Sequence, residues 1–444
     1  MADLPLINGF DSGAVFAHQE NRPIRVGEFL SDVGRLAGSL PDRRFVLNLC
    51  TDRYHFSVGF AAAMLRGQAS LLPPNSTPDL IARLNRQYGE MYCLTDGTEP
   101  TGLRTIVYRR APGDERLEPS VPLVPEKQVA AVIFTSGSTG QPVPHDQTWG
   151  ALVGSAVAGI DRLGLRALRG MSMLGTVPPQ HMFGLEATVL MAMQGGLTMY
   201  AGRPFFAADI CAELDALPRP RGLVTTPVHL RVLLAEPGEL PPLNFLLCAT
   251  APLSPQLAAE AERRFRIPLQ EIYGCTETGK IATRRPVRTQ EWQLLPGVVL
   301  AQKEGGTWVK GGHIEKEVLL GDVIELQGKD RFLLHGRTSD LINIAGKRTS
   351  LAALNYHLNS IDGVRDGAFV MPEEEDGTVT RLMAFVVAPG LDGEAILAAL
   401  RQRIDSAFLP RPLCFVDSLP RGETGKLPRV ALDDLVARLT TKVE

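Results

Sequence analysis

The chain has 444 residues, with 46 Lys and Arg against 49 Asp and Glu for a net charge of −3, and is 44% hydrophobic and 21% charged. That length exceeds one hydrophobic core and predicts a globular protein of two or more domains. The absence of a basic block disfavours nucleic acid as a main partner, and with no apolar run of about 18 residues no membrane span is expected.

The six cysteines form no Cys-x-x-Cys pair. They read as reduced thiols of a cytosolic protein. Met1-Ala2-Asp3-Leu4-Pro5 has no basic region leading into an apolar core, so no signal peptide is expected. Along residues 1–128, Arg44 to Leu49 predicts a strand and Phe56 to Leu65 an Ala-rich helix. Ser70 to Asn75 predicts a strand ending in a turn, and Thr77 to Tyr88 an amphipathic helix. Arg110 to Pro125, rich in Pro and charge, predicts a surface loop.

The run Val129-Ala130-Ala131-Val132-Ile133-Phe134 predicts a buried strand that feeds Thr135-Ser136-Gly137-Ser138-Thr139-Gly140-Gln141-Pro142. Small hydroxyl residues and glycines let backbone N–H groups approach an anion, so this loop reads either as a polyphosphate cradle or as an ordinary Ser/Gly turn. It is not a Walker A loop, because no Gly-Lys-Ser/Thr closes it, and a P-loop kinase or ATPase is thereby disfavoured.

Gln147 to Leu163 then predicts a helix. Strands followed by helices recur at Met173–Pro178, Leu197–Tyr200, Gly222–Pro227 and Asn244–Ala249, which predicts an α/β region with largely parallel strands. Residues 291–335 predict a small β region. Past Gly336 the chain restarts as a compact α+β unit. It has a hairpin around Ile342–Lys347, a helix near 350–360, strands at 366–371 and 381–388, and a helix at 393–406.

Tyr273-Gly274-Cys275-Thr276-Glu277 can offer an aromatic face to a purine, with a hydroxyl and a carboxylate toward phosphate and Mg²⁺. The plainer alternative is a core Tyr and a solvated Glu. Asp322 can accept from two hydroxyls at once or simply close a turn. Lys426, in Gly422-Glu423-Thr424-Gly425-Lys426-Leu427, can neutralise charge between two reacting anions or lie solvated in a loop. His181, with Phe183 beside it, lies between Pro179 and Gly184 after a strand and reads by itself as a packed structural residue. His145 and Trp149 are read as structural.

These segments, in this order, resemble the adenylate-forming superfamily of acyl- and aryl-CoA synthetases, adenylation domains and luciferases. The resemblance runs from about residue 130 to the C-terminus. It implies a large layered N-terminal α/β domain over 1–336 and a small mobile α+β domain over 337–444. ATP and Mg²⁺ are implied as cofactors. Nucleotide contacts are implied at Thr135, Ser136, Gly137, Ser138, Thr139, Gly140, Thr250, Ala251, Tyr273, Gly274, Asp322 and Arg337. Thr276, Glu277 (also the metal ligand) and Lys426 are implied as catalytic. The acid pocket falls to His181, Phe183, Gly184 and Ala249, and the hinge to Ser339, where relatives more often carry Asp or Lys. The loop departs from the family pattern: Val143-Pro144 stands where Lys-Gly is usual, so a phosphate-neutralising cation is missing.

The implied reaction is activation of a small carboxylic acid as its adenylate, then transfer to a phosphopantetheine thiol of coenzyme A or an acyl carrier protein. The compact size and the Gln141-Pro142-Val143-Pro144-His145 variant resemble the synthetases of aryl polyene and xanthomonadin-type pigment pathways, which implies a hydroxybenzoate-like acid. A medium-chain fatty or hydroxy acid is the rival substrate, and a non-catalytic ATP or AMP sensor the rival function. Oligomeric state leaves no signature in the sequence.

Overall fold

The structure is a computed structural model that describes residues 2–11, 13–20, 22–97, 102–110, 120–136, 142–344, 347–372, 382–422 and 427–440. Two sheets dominate the large N-terminal part. In the six-stranded sheet the order is Pro142–Thr148, Val129–Ser136, Ala69–Leu72, Phe45–Asn48, Met91–Thr95, Thr105–Val107. All neighbours in it are parallel except the Val129–Ser136/Pro142–Thr148 hairpin.

The second sheet has eleven strands. Its parallel centre is Thr198–Tyr200, Ser172–Gly175, Arg221–Thr225, Phe245–Cys248 and Leu269–Cys275. Antiparallel strands extend it through Gly279–Arg284, Trp292–Leu294 and Arg331–Arg337 to Asp322–Leu326.

Helix Arg53–Leu65 contacts strands of both sheets. Buried on nearly every side, it carries Phe56, Phe60 and a run of alanines instead of an amphipathic pattern. Asp52 caps it by accepting the His55 N–H at 2.9 Å. Phe16, Phe29, Tyr54, Trp149, Ile160 and Leu190 complete this core.

Arg53 is fully buried at the first turn of that helix. Its guanidinium donates to Thr188 Oγ1 and to the carbonyls of Gly175, Val177, Tyr200 and Gly202 at 2.8–2.9 Å. Burial pulls its pKa down to about 10, so it remains charged at neutral pH. One side chain thus ties two parallel strand ends to the helix that follows Met182. Arg53→Leu strands several buried acceptors, each worth about 1–3 kcal/mol. The expected loss, read by urea unfolding, is at least about 3 kcal/mol.

The predicted β region divides. Val298–Lys303, Gly306–Gly311 and Ile314–Leu319 form their own three-stranded sheet, while Trp292–Leu294, Asp322–Leu326 and Arg331–Arg337 join the large one. Beyond it, residues from 342 to 436 supply two separate clusters, one built on Ile342, Leu354, Leu358, Phe369, Val386 and Ile396, the other on Val370, Phe385 and Leu432. These make the smaller C-terminal α+β part. It contains the hairpin Leu341–Ile344/Lys347–Ser350 and the strands Asp366–Val370, Met383–Val387 and Leu413–Phe415. Helix Arg429–Thr440 closes the described chain. Among the described residues no helix is long and apolar enough to cross a membrane.

Candidate active site

The parallel strands Ser172–Gly175, Arg221–Thr225, Phe245–Cys248 and Leu269–Cys275 end on one edge of the large sheet, the edge where α/β folds gather their binding loops. Ala249, Thr250 and Ala251 leave it there. Thr250 holds φ +86, an unusual conformation for a residue with a Cβ. Leu269–Cys275 turns back into Gly279–Arg284 with a register shift between Tyr273 and Gly274. Glycine is required at 274, because a Cβ there would run into the Gly279 carbonyl.

Two groups of predicted residues come together at this edge. In the first, the Tyr273 ring packs against Trp292 and Phe332 at 5.5 Å from each, on two neighbouring strands, and its hydroxyl donates to Asp322 Oδ2 at 2.7 Å. Asp322 sits directly across the strand pair from Arg337. Burial raises the Asp322 pKa, against the Tyr273 hydrogen bond and the Arg337 charge, which lower it. Burial, then the Asp322 charge, drives the Tyr273 hydroxyl well above its ordinary range.

In the second group, His145 Nε2 lies 3.0 Å from Thr135 Oγ1 and 3.5 Å from Glu277 Oε1, a carboxylate 35% exposed. The root of the Ser/Gly loop and the carboxylate of the Thr276-Glu277 turn therefore meet on one imidazole. His145, read as structural, joins the loop root to this turn, and Trp149, read the same way, is wholly buried in the core. Val143 is 44% exposed on the same strand.

That turn is bound from several sides. Gln147 Nε2 donates to Thr276 O at 2.9 Å, His313 Nε2 lies 2.9 Å from Thr278 O, and Glu186 Oε2 accepts the Lys280 N–H at 3.1 Å. Sequence reasoning missed Gln147, His313, Glu186 and Lys280. Gln147 shares a strand face with His145, two residues away, a signal that reading the segment as a strand makes visible.

His181 precedes the short helix Met182–Gly184, which continues as a π-helical stretch Leu185–Leu190. Phe183 packs on the main core, and Gly184 leaves no room for a Cβ beside the Pro178 carbonyl. Ser339 lies in the turn Thr338–Asp340, and the Thr338 N–H donates to Gly321 O at 2.9 Å. Ser136 lies in the loop strand, paired with Pro142. Gly137, Ser138, Thr139, Gly140 and Lys426 lie outside the described residues.

Among the described residues no group of three or more His, Cys, Asp or Glu could hold a metal ion. A single carboxylate such as Glu277 nevertheless suits Mg²⁺, which takes one or two protein carboxylates and completes its shell with substrate phosphates and water.

The model of the AMP-binding enzyme family matches residues 46–304. The chain belongs to that family. It is 30% identical to a 4-coumarate–CoA ligase of Rhodobacter capsulatus over 301 residues, 67% of this chain and 74% of the relative. It is 26% identical to an indoleacetate–CoA ligase of Aromatoleum aromaticum, over 74% of this chain and 70% of the relative. Among solved structures, an o-succinylbenzoate CoA synthetase of Bacillus subtilis holding its acyl-adenylate superposes with a TM-score of 0.81. It shares 19% identity, and the match covers 98% of this chain and 99% of that one. The ATP-bound MatB of Rhodopseudomonas palustris gives a TM-score of 0.77 at 18% identity, covering 97% of both chains. At these identities the superpositions establish the shared fold: a large α/β N-terminal domain with a smaller C-terminal one.

Proposed function

We propose that this AMP-binding enzyme is an ATP-dependent acid–thiol ligase that forms an acyl-adenylate and then a thioester. The observation that carries this reading is the meeting of Thr135, His145 and Glu277, which places the phosphate-loop root beside an acidic turn at the strand edge that also holds Tyr273 and Asp322. In the first step a substrate carboxylate oxygen bonds to the α-phosphorus and the α–β bridging bond breaks, releasing pyrophosphate. In the second a thiol sulfur bonds to the acyl carbon, the mixed-anhydride bond breaks, and AMP leaves as the thiol proton passes to solvent.

Tyr273 and Asp322 hold the nucleoside, Asp322 accepting from the ribose hydroxyls and Arg337 favouring its ionised form. Glu277, with the Thr276 hydroxyl near it, would hold Mg²⁺, which when bound supplies positive charge against the departing pyrophosphate. Lys426 stabilises charge between carboxylate and α-phosphate, and His145 bridges the loop root and Glu277. His181, Phe183, Gly184 and Ala249 border the acid, and the C-terminal part, residues 337–444, turns about Ser339 between the two steps.

The substrate we assign is a small aryl acid of hydroxybenzoate type. Support comes from the names of the relatives, which include 4-coumarate and indoleacetate ligases, and from the compact chain. The acceptor is the phosphopantetheine thiol of coenzyme A or of a carrier protein. Acid-dependent pyrophosphate release is measured over 3- and 4-hydroxybenzoate, cinnamates and fatty acids, each with coenzyme A or a phosphopantetheinylated carrier protein. Release with one aryl acid supports the assignment. Release with aliphatic acids alone overturns the substrate, and silence with ATP still bound overturns the reaction.

A pH effect follows from Asp322. Its folded pKa is raised, so it takes up a proton at higher pH than an ordinary carboxylate and then accepts more poorly from ribose. The KM for ATP is expected to climb as pH falls through that raised pKa. Tyr273→Phe removes a hydrogen bond that lowers the pKa, so the climb moves to still higher pH, and KM at neutral pH rises about threefold to tenfold.

A further inference from the structure

A closed ring of polar contacts lies in the protein interior behind the Thr276-Glu277 turn. Lys280 Nζ donates to Glu186 Oε1 at 3.2 Å and to Ser155 Oγ at 3.1 Å, and Ser155 Oγ donates to Glu186 Oε1. The second carboxylate oxygen accepts the backbone N–H of Lys280. All three residues are buried, with Lys280 1% exposed. The ring joins three elements: helix Trp149–Arg162, the π-helical stretch Leu185–Leu190 and strand Gly279–Arg284.

The surrounding backbone makes room for it. A Cβ on Gly159 would strike the Lys280 stem, and one on Gly279 would lie 2.7 Å from Glu186 Oε1. Gly279 itself holds φ +68. The turn thus reverses tightly onto the Glu186 carboxylate, three residues after Glu277.

A buried ion pair contributes little net stability, because desolvating two charges offsets their attraction, and apolar replacements of similar volume are often neutral or better. Fold stability alone therefore does not account for a Lys and a Glu here. What the pair does supply is a fixed acceptor. Glu186 grips the turn by a backbone N–H, and Lys280 Nζ and Ser155 Oγ hold its other carboxylate oxygen in place.

We propose that Glu186 is a positioning residue for the nucleotide site: through the Lys280 N–H it sets the turn that presents Thr276 and Glu277, and it links this turn to the His181–Leu190 segment. Lys280 and Ser155 hold Glu186 in that role. The inference rests on the reading of Glu277 as the magnesium-side carboxylate.

The test compares two double variants with the parent. Glu186→Leu with Lys280→Met removes both charges and the acceptor; Glu186→Gln with Lys280→Met removes both charges but keeps an acceptor oxygen. Hydrogen exchange over residues 275–281 and steady-state pyrophosphate release are measured for each. The first variant is expected to exchange about tenfold faster in that segment and to show a KM for Mg–ATP about tenfold higher, with the KM for the acid within about threefold. The second is expected to restore both properties to within about threefold of the parent. Unchanged exchange in the first variant overturns the proposal, as does equal damage in the second. If the first variant does not fold, Gly279→Ala, which drives a methyl against Glu186, is expected to give the same pattern, and unchanged exchange there overturns it. A parent that releases no pyrophosphate with any acid overturns the ligase reading instead, and the exchange result still decides the role of Glu186.

Discussion

Lys426→Ala is expected to lower adenylate formation by about 10²–10³-fold while leaving ATP binding within about threefold. The size is that of removing one preorganised group aimed at developing charge. A carboxylate approaching an α-phosphate brings two anions together, and one ammonium between them is worth most in the transition state. ATP binding survives because Tyr273, Asp322 and the loop root lie on other elements. Arg421, five positions before Lys426 in the sequence, is anchored: its Nε and Nη2 donate to Asp366 Oδ2 and Oδ1 at 2.8 and 2.9 Å. Arg231, on helix Pro227–Ala235 of the N-terminal part, lies 3.5 Å from the same carboxylate. Pyrophosphate release and equilibrium ATP binding, measured together on the folded variant, check the prediction. Turnover at the parent rate would remove Lys426 from the mechanism.

The β/α alternation was legible where a short, apolar parallel strand is followed by a helix. Residues 45–48, 69–72, 172–175 and 245–248 are strands where the pattern predicts them. Pro142–Thr148 was not legible as a strand, because two prolines within three residues argue against one. It lies at the edge of its sheet, where a missing N–H is tolerated. The following helix begins at Trp149, capped by the Thr148 hydroxyl accepting from Ala151 N–H at 3.1 Å, rather than at Gln147. The split of the 291–335 region depended on sheet order, which local periodicity does not encode.

The site was legible where its residues are neighbours in sequence. Tyr273 and Glu277 share one segment, and the aromatic–Gly–hydroxyl–acid pattern has a chemical meaning of its own. Contacts across long separations were not. Tyr273 and Asp322 are 49 residues apart and joined through the sheet, and Glu186 and Lys280 are 94 apart and joined where a helical stretch packs on a strand. Glu186 leaves one trace, a lone charge in a run from Met182 to Met193 that is apolar apart from Thr188, which signals a buried partner without naming it. His145 was hidden by the misread strand. Once the strand is known, His145 and Gln147 fall on one face, and both reach the Thr276-Glu277 turn.

Glu277→Gln is the second large effect. The amide keeps the volume and one acceptor oxygen but removes the negative charge that a divalent cation requires. The expected outcome is a fall in adenylation of about 10²-fold at millimolar Mg²⁺, with part of the loss recovered as Mg²⁺ is raised. ATP binding without metal is expected to improve or stay level, since a carboxylate near phosphate repels it. His145 gives the contrast. Its Nε2 contacts both Thr135 and Glu277, so His145→Asn keeps a donor for the carboxylate and is expected to lose far less than Glu277→Gln. A Mg²⁺ titration of pyrophosphate release at saturating ATP and acid distinguishes them. A Glu277→Gln enzyme whose Mg²⁺ dependence matches the parent would place the metal elsewhere and leave Glu277 as a partner of His145 alone.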